Sequence, residues 1–158
     1  MDRCGLLGID CREGMNMSYR LDGYCGLYCG ACPALLGTKA GTEAHTCQGC
    51  KSDRIDSRRY CASCSIKTCA RNCGFEFCIE CPNLESCDLL QNFIADENWP
   101  YHQGVMMNME FIQCEGLASW LEMQQQRWRC GKCGTAHSWW DETCPSCRVA
   151  VGSYRTER

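Results

Sequence analysis

The sequence predicts a small, loop-rich α+β fold stapled by metal ions, with a cysteine-rich metal domain, one or two helices and a C-terminal β-hairpin unit of the zinc-ribbon type. Three observations predict it. The chain has 19 Cys among 158 residues, six pairs of them are spaced C-x2-C, and apolar residues recur at helical spacing mainly after residue 86. At this density, cysteine chemistry replaces a large apolar core as the main source of stability.

Metal-bound thiolates explain these cysteines better than disulfides do. Two residues between thiolates let both sulfurs face one ion while nearby backbone N–H groups support them. The odd number of cysteines would leave one without a disulfide partner. Residues 1–17 lack the apolar run of a signal peptide, and no apolar stretch approaches the roughly 20 residues of a membrane-spanning helix. We therefore expect a cytoplasmic protein whose thiols stay reduced.

Charge gives a weak indication of partners. Lys and Arg total 16 and Asp and Glu total 19, so the formal net charge is −3. Each divalent ion held by four thiolates adds about two negative charges. The balance gives little support to a nucleic-acid partner. We expect a protein partner, no membrane partner, and no small-molecule substrate that the sequence can specify.

The chain divides into five segments. Residues 1–20 form a flexible lead that contains Cys4 and Cys11. Residues 21–88 form a cysteine-rich multi-metal domain, and residues 86–126 form a helical segment packed on it. Residues 128–148 form a zinc-ribbon or rubredoxin-like unit, and residues 149–158 form a polar tail.

The multi-metal domain holds twelve candidate ligands, which is three sets of four. They are Cys25, Cys29, Cys32, Cys47, Cys50, Cys61, Cys64, Cys69, Cys73, Cys78, Cys81 and Cys87. Several zinc ions could staple a fold with little apolar core. Iron–sulfur clusters are the alternative, because close cysteine triplets and the Cys32-Pro33 and Cys81-Pro82 pairs are familiar in such proteins. The pairing of cysteines into sites stays open at this point.

One triplet has a second interpretation. The spacing Cys25-x3-Cys29-x2-Cys32 equals that with which radical S-adenosylmethionine enzymes bind a [4Fe–4S] cluster. Those enzymes need a large barrel of alternating strands and helices, which 158 residues crowded with cysteines cannot supply. We therefore treat the match as coincidental.

Residues 86–126 are predicted to form two helices. Ser86 is a candidate N-cap of the first, which should end before Trp99-Pro100. A second, longer helix should begin after Gly104, and its apolar stripe includes Val105, Met109, Ile112, Gly116, Trp120 and Met123. We expect this stripe to pack on the metal domain; a partner-binding groove is the alternative.

The last unit gives the strongest motif. Cys130 and Cys133 form one C-x2-C pair, and Cys144 and Cys147 form another after ten residues. Four such sulfurs can surround one tetrahedral ion, as in a zinc ribbon or a rubredoxin-like iron site. Zinc is the first choice for this unit.

Four stretches resemble an uncharacterised cysteine-rich protein family of bacteria and archaea. They are C-G-L-Y-C-G-A-C-P at 25–33, C-A-R-N-C-G at 69–74, F-C-I-E-C-P at 77–82 and G-L-A-S-W-L-E-M-Q at 116–124, which leads into the C-terminal unit. The resemblance covers roughly residues 21–148. It implies a cytoplasmic metalloprotein and, because the family is common in anaerobes, favours iron–sulfur chemistry. It implies no established activity.

Three functions remain open. The first is a zinc-stapled adaptor, favoured because no nucleophile–base pair, oxyanion-hole motif or phosphate loop is recognisable. The second is an iron–sulfur redox or cluster-handling protein, and the third is a thiol-dependent enzyme that uses the spare Cys4, Cys11 or Cys114. We expect Cys114 to be a small buried residue and the three histidines to be solvated. No catalytic residue can be named.

Overall fold

The computed structural model describes residues 18–157 as short helices joined by loops. Cys4, Cys11, most of the predicted flexible lead and Arg158 lie outside the described residues. The α-helices are α1 (Pro33–Ala40), α2 (Ser65–Cys73), α3 (Asp88–Ala95), α4 (Val105–Glu115) and α5 (Leu117–Arg127). Single 3₁₀ turns lie at Cys29–Ala31, Tyr60–Ser63, Cys78–Glu80, Leu84–Ser86 and Pro100–His102.

The predicted α+β class with a C-terminal β-hairpin is wrong. Residues 18–157 contain no β-strand, and backbone pairing outside helices is limited to isolated bridges, such as Arg129 with Ala136 and Thr143 with Ala150. Each of these two bridges closes a tight turn around one C-x2-C pair, and the pairing does not continue beyond that single bridge. A hairpin needs a continued ladder between two strands. The C-terminal pairs therefore form two separate turns.

The number of helices was also predicted too low. The segment 21–92 contains α1, α2 and the first five residues of α3, so helices occur throughout the metal domain. Helix α1 begins directly after Cys32, with Pro33 at its first position, where a missing N–H costs no hydrogen bond. Such short helices are hard to see in a sequence because each gives too few turns for a clear apolar period.

The long second helix predicted after Gly104 is broken in two at Gly116. This residue has φ 87° and ψ 156°, which lies far from helical values. Its N–H donates to the carbonyl of Ile112 at the end of α4, and its own carbonyl accepts from Trp120 at the start of α5. A residue with a Cβ would be strained at this φ, so glycine permits the break.

Helices α4 and α5 pack on the cysteine-rich segment. Met109 is fully buried against Gly26, where an added Cβ would lie 2.6 Å from the Met109 Cγ, and Asn108 donates a hydrogen bond of 2.9 Å to the Gly26 carbonyl. Trp120 is fully buried edge-to-face against Tyr28, with ring centroids 5.8 Å apart. The buried members of the apolar stripe, such as Met109 and Trp120, therefore contact the cysteine-rich segment.

A charged pair is buried beside this packing. The Lys51 side chain is 2% exposed, and its Nζ lies 2.7 Å from Oδ2 of the buried Asp22. The same ammonium lies 3.7 Å from the centroid of the Phe77 ring. A buried charge of this kind is stable only when paired, so the Lys51–Asp22 ion pair ties the chain before Cys25 to the loop after Cys50.

No helix within residues 18–157 has the length and apolar character needed to cross a membrane.

Candidate metal centres

The four C-terminal cysteines converge on one point. Sγ atoms of Cys130, Cys133, Cys144 and Cys147 all lie within 4.8 Å of one another. Cys130 lies 3.6 Å from Cys147, and Cys133 lies 3.5 Å from Cys144. In a tetrahedron with metal–sulfur bonds of about 2.3 Å, sulfur atoms are about 3.8 Å apart. The group can therefore hold one tetrahedral metal ion.

Two similar turns bring these sulfurs together. The amide of Cys130 donates to Thr135, and that of Gly134 donates back to Cys130; Cys144 and Arg148 make the equivalent bonds, with Cys144 donating to Val149. The residue after the second cysteine is left-handed in both turns, with φ 72° at Gly134 and 63° at Arg148. Glycine adopts this conformation without strain, whereas arginine does not. The second turn therefore carries strain that the first avoids.

Hydrogen bonds lower the pKa of two thiols in this unit, Cys130 and Cys133. The backbone N–H of Cys133 is the largest influence that lowers the pKa of Cys130. The Thr135 side chain, whose Oγ1 lies 3.2 Å from Sγ, lowers the pKa of Cys133 to about 6, with the Thr135 N–H acting in the same direction. At Cys147 the N–H of Val149 acts in the same direction, but burial and the bonds with the other three sulfurs outweigh it and raise the pKa to about 11. Thiolate is the form that binds metal. Zinc and iron both accept this donor set, which fixes a Cys4 ligand group without selecting the metal.

Eleven of the other twelve candidate cysteines line two cavities. Seven line the first, which has a volume of about 110 Å³ and is walled almost entirely by apolar atoms: Cys25, Cys29, Cys32, Cys47, Cys50, Cys61 and Cys64. Four line the second, of about 30 Å³: Cys69, Cys78, Cys81 and Cys87. Cys73 lines neither of them, and its thiol contacts that of Cys69.

These twelve cysteines are spaced differently from the C-terminal four. Across residues 18–157, the C-terminal group is the one set of three or more Cys, His, Asp or Glu whose ligand atoms all lie within 4.8 Å. The prediction of three further sets of four therefore has no counterpart at single-ion distances. Instead, seven of these cysteines line the first cavity and four line the second.

Each helix of the segment 21–92 begins next to a cysteine that faces a cavity. Cys32 is the N-cap of α1, Cys64 that of α2 and Cys87 that of α3. Cys32 and Cys64 line the first cavity, and Cys87 lines the second. The N-terminal end of a helix carries unpaired N–H groups and partial positive charge. The helices thus direct positive potential at positions where thiolates would gather.

Burial opposes thiolate formation in the cavities. It raises the pKa of Cys25 to about 12 and that of Cys32 to about 11, although the N–H groups of Leu35 and Ala34 act against the increase at Cys32. The hydrogen bond with the Cys29 thiol is the main cause that raises the pKa of Cys50, and the Cys61 thiol also contacts Cys50. Buried thiols this close together become thiolates only with positive charge between them.

Sequence reasoning missed the aromatic and basic neighbours of the first cavity. Lys67 is buried on α2 and its charge lowers the pKa of Cys61 against the larger opposing effects of Cys50 and burial. Tyr101, His102 and Trp139 also line the cavity. His102 and His137 are buried, so the prediction of solvated histidines is wrong for both. No local motif marks these residues, because they reach the cavity from distant segments.

The C-terminal unit docks on the first cavity. The Trp139 amide donates to the Ala31 carbonyl, between Cys29 and Cys32, at 3.2 Å. Its ring stacks on Tyr101 with centroids 4.3 Å apart. A wider open groove of about 690 Å³ shares Cys32 and Cys61 with this cavity. The cavity is therefore reachable from the surface.

Cys114, predicted to be buried, is exposed and lies apart from both cavities.

Comparison with known proteins gives one match. Residues 21–92 match the family described as "Protein of unknown function (DUF3795)". The matched range contains Cys73 and the eleven cysteines that line the two cavities, and it stops before α4. It is consistent with an uncharacterised cysteine-rich family, as the resemblance implied, and it does not include the C-terminal unit. No curated protein and no solved structure gives a significant match.

Proposed function

We propose that this protein is an iron–sulfur redox protein that carries single electrons, with a cluster in the first cavity. The observation that carries the proposal is the gathering of seven cysteines around one apolar cavity of about 110 Å³. Cys50 contacts Cys29 and Cys61, but no three of the seven sulfurs all lie within 4.8 Å of one another, as the sulfurs around one ion do. In a cluster, iron and sulfide atoms lie between the cysteine sulfurs, so the ligands stand further apart than around one ion. The two spacings in this chain support two kinds of centre.

The surroundings of the cavity suit such a cluster. Its donor set is all thiol, as in [2Fe–2S] and [4Fe–4S] proteins. The backbone N–H of Cys50 donates to Sγ of Cys29 at 3.4 Å, and buried Lys67 adds a positive charge nearby. Amide hydrogen bonds to sulfur, nearby charge and solvent exclusion are the features by which proteins set a cluster's reduction potential. Residues of this cavity would therefore determine how readily it accepts an electron.

The reaction is electron transfer alone. A low-potential one-electron donor reduces the cluster by one electron, and a protein acceptor later oxidises it by one; no bond to carbon, oxygen or phosphorus forms or breaks. The open groove beside Cys32 and Cys61 brings a partner close to the cavity. Tyr60, which is 75% exposed, and Trp99, which is 44% exposed, line that groove. Exposed aromatic residues are typical anchors of protein interfaces.

Metal and sulfide analysis tests the proposal. Protein purified without oxygen should contain iron and acid-labile sulfide in about equal amounts, absorb visible light, and give an electron paramagnetic resonance signal after reduction with dithionite. The double variant Cys29→Ser/Cys50→Ser should lose iron and sulfide from the first cavity. The matched control is Cys114→Ser, which changes an exposed cysteine away from both cavities. Colourless wild-type protein that holds zinc and no sulfide after anaerobic reconstitution would overturn the proposal.

A zinc-stapled adaptor is the second candidate, and the C-terminal Cys4 group favours it. That group suits a structural zinc ion, because it offers four protein ligands and closes around them. A partner surface is available on α4, where Met107 is 73% exposed next to Phe111 and Cys114. In this case the wild-type protein would bind zinc alone, so the same metal analysis separates the two functions.

A further inference from the structure

The second cavity has the features of a separate metal centre. Its cysteines come from three local structures: Cys69 from α2, Cys78 and Cys81 from the 3₁₀ turn and its end, and Cys87 from the start of α3. Every other residue that lines it is apolar, namely Ile66, Ala70, Phe75, Leu84, Leu89 and Leu90. An apolar wall offers no alternative hydrogen-bond partner to these thiols. Four thiols directed at such a space are explained by a shared ligand.

The four cysteines form one group by position, because all of them line the same small cavity although they come from α2, a 3₁₀ turn and the start of α3. Their Sγ atoms do not meet the 4.8 Å spacing found in the C-terminal unit. The arrangement thus resembles the first cavity and differs from the single-ion group. Spacing of this kind fits a ligand that has several metal atoms.

We infer that Cys69, Cys78, Cys81 and Cys87 bind a second iron–sulfur cluster, next to the first. This inference rests on the proposed function and adds the ligands of a second centre to it. The cavity is smaller than the first, at about 30 against 110 Å³, and Cys69 reaches it from an exposed position. Cys73 contacts Cys69 from outside the cavity and is not a ligand.

The two clusters lie close enough to exchange electrons. Ile66 lines both cavities, so a single side chain contributes to the wall between them. An electron that passes between the clusters oxidises one by one unit and reduces the other by one unit, with no change in bonding. Dithionite supplies that electron in the experiment below.

Removal of ligands from the second cavity tests the inference on the full chain. The double variant Cys81→Ser/Cys87→Ser should lose about two to four iron atoms and as many sulfides per chain, which is one cluster's content, and retain the rest. Cys73→Ser is the matched control, because it removes a neighbouring thiol on α2 and should leave both counts unchanged. Fully reduced wild-type protein should show the broadened resonance of two interacting spins, and the double variant should show the sharp signal of one cluster.

The outcomes separate this inference from the proposed function. If the wild type has iron and sulfide that the double variant keeps in full, or if Cys73→Ser lowers them equally, the second site is refuted while the first cluster stands. If the double variant loses all iron together with its fold, the far-ultraviolet spectrum reveals it; the absence of interacting spins in the reduced wild type then decides against the second cluster. Wild-type protein without sulfide refutes both.

Discussion

The segment 21–92 and the C-terminal unit use the same C-x2-C spacing to build different sites. In the C-terminal unit, each pair ends in a left-handed residue, Gly134 or Arg148, and the four sulfurs meet at single-ion distance. In the segment 21–92, two of the four pairs end in an extended cysteine that precedes a helix, Cys32 and Cys64. The same pair spacing is therefore followed by different backbone conformations, a left-handed residue in the C-terminal unit and a helix in these two pairs.

The largest expected effect is the loss of the single ion. In Cys144→Ser, a fully buried ligand is removed and the metal content should fall by one ion per chain, because a structural site needs all four ligands. Zinc binding in small units contributes on the order of 10 kcal/mol to folding. Residues 128–152 should then be cleaved rapidly in limited proteolysis. Iron and sulfide in the segment 21–92 should remain, and their loss would show that the two regions are not independent.

The next largest effect should come from the packing of Trp120, which contributes to the free energy of unfolding. Trp120→Ala removes a fully buried ring between α5 and Tyr28, and the free energy of unfolding should fall by about 3–5 kcal/mol. Met123→Ala, on the same helix and 39% exposed, is the control and should change it by less than about 1 kcal/mol. Both values come from denaturant titration followed by circular dichroism. Equal effects would mean that metal binding alone stabilises this region.

The buried ion pair should show strong coupling. Lys51→Met leaves the Asp22 carboxylate buried without its 2.7 Å partner and should cost about 3 kcal/mol. The double variant Lys51→Met/Asp22→Leu removes both charges and should recover most of that loss. A double-mutant cycle measures the coupling. Additive losses would contradict a role for the pair in tying the chain before Cys25 to the loop after Cys50.

The rate of thiol alkylation should be higher in the C-terminal unit than in the segment 21–92. In protein whose metal has been removed under conditions that keep the C-terminal turns folded, iodoacetamide at pH 6 should modify Cys133 on the order of ten times faster than a thiol of ordinary pKa, after allowance for the lower nucleophilicity of its thiolate. Buried Cys78, with a pKa of about 12, should react far more slowly. The folded-state pKa of Cys133 is lowered, so its stabilising hydrogen bonds are present at alkaline pH and are lost as pH falls through about 6.

Peptide mapping by mass spectrometry gives these rates. Thr135→Val is the control, because it removes the side chain that contributes most to the lowered pKa of Cys133 while it retains the backbone N–H. It should slow alkylation of Cys133 several-fold at pH 6 and leave Cys114 unchanged. Identical rates in the two proteins would exclude the Thr135 hydroxyl as the cause.

The smallest expected effect compares the two C-terminal turns. Arg148→Gly relieves a left-handed non-glycine residue and should raise stability by about 1 kcal/mol or less, since the more flexible unfolded chain offsets part of the gain. Gly134→Ala introduces the same strain into the first turn and should cost about 1 kcal/mol. The midpoint of zinc removal by a chelator reports both. The two substitutions should shift this midpoint in opposite directions. Shifts in the same direction would contradict the strain argument.

The C-terminal ligand group was predictable because local spacing determines it. Cys130, Cys133, Cys144 and Cys147 are close in sequence, and each pair is fixed by a turn of a few residues. The β-hairpin expected between them was not observed, because single bridges satisfy the turns and no ladder is required. The break at Gly116 was also missed, since an apolar period continues across it while the backbone does not.

The two cavities could not be derived from the sequence. Cys29 and Cys50 meet through contacts between segments twenty residues apart, and Trp139 reaches the same cavity from the other end of the chain. Spacing identifies which cysteines can share a turn, but it does not identify which turns meet. The buried positions of Lys51 and Lys67 were equally hidden, because a lysine in a cysteine-rich loop has no sequence pattern that distinguishes a buried from an exposed side chain.

Two tryptophans are placed so that their intrinsic fluorescence can report on the two regions separately. Trp128 lies two positions before Cys130 and is buried, and Trp139 is buried in the wall of the first cavity. Under the proposed function, fluorescence of Trp139 should therefore be quenched when an iron–sulfur cluster fills that cavity, whereas a zinc ion in the C-terminal unit, which absorbs no visible light, would not quench Trp128 in the same way. In variants that keep only one of the two, with the other four of the five tryptophans replaced by Phe, the emission would follow the filling of a single centre in real time.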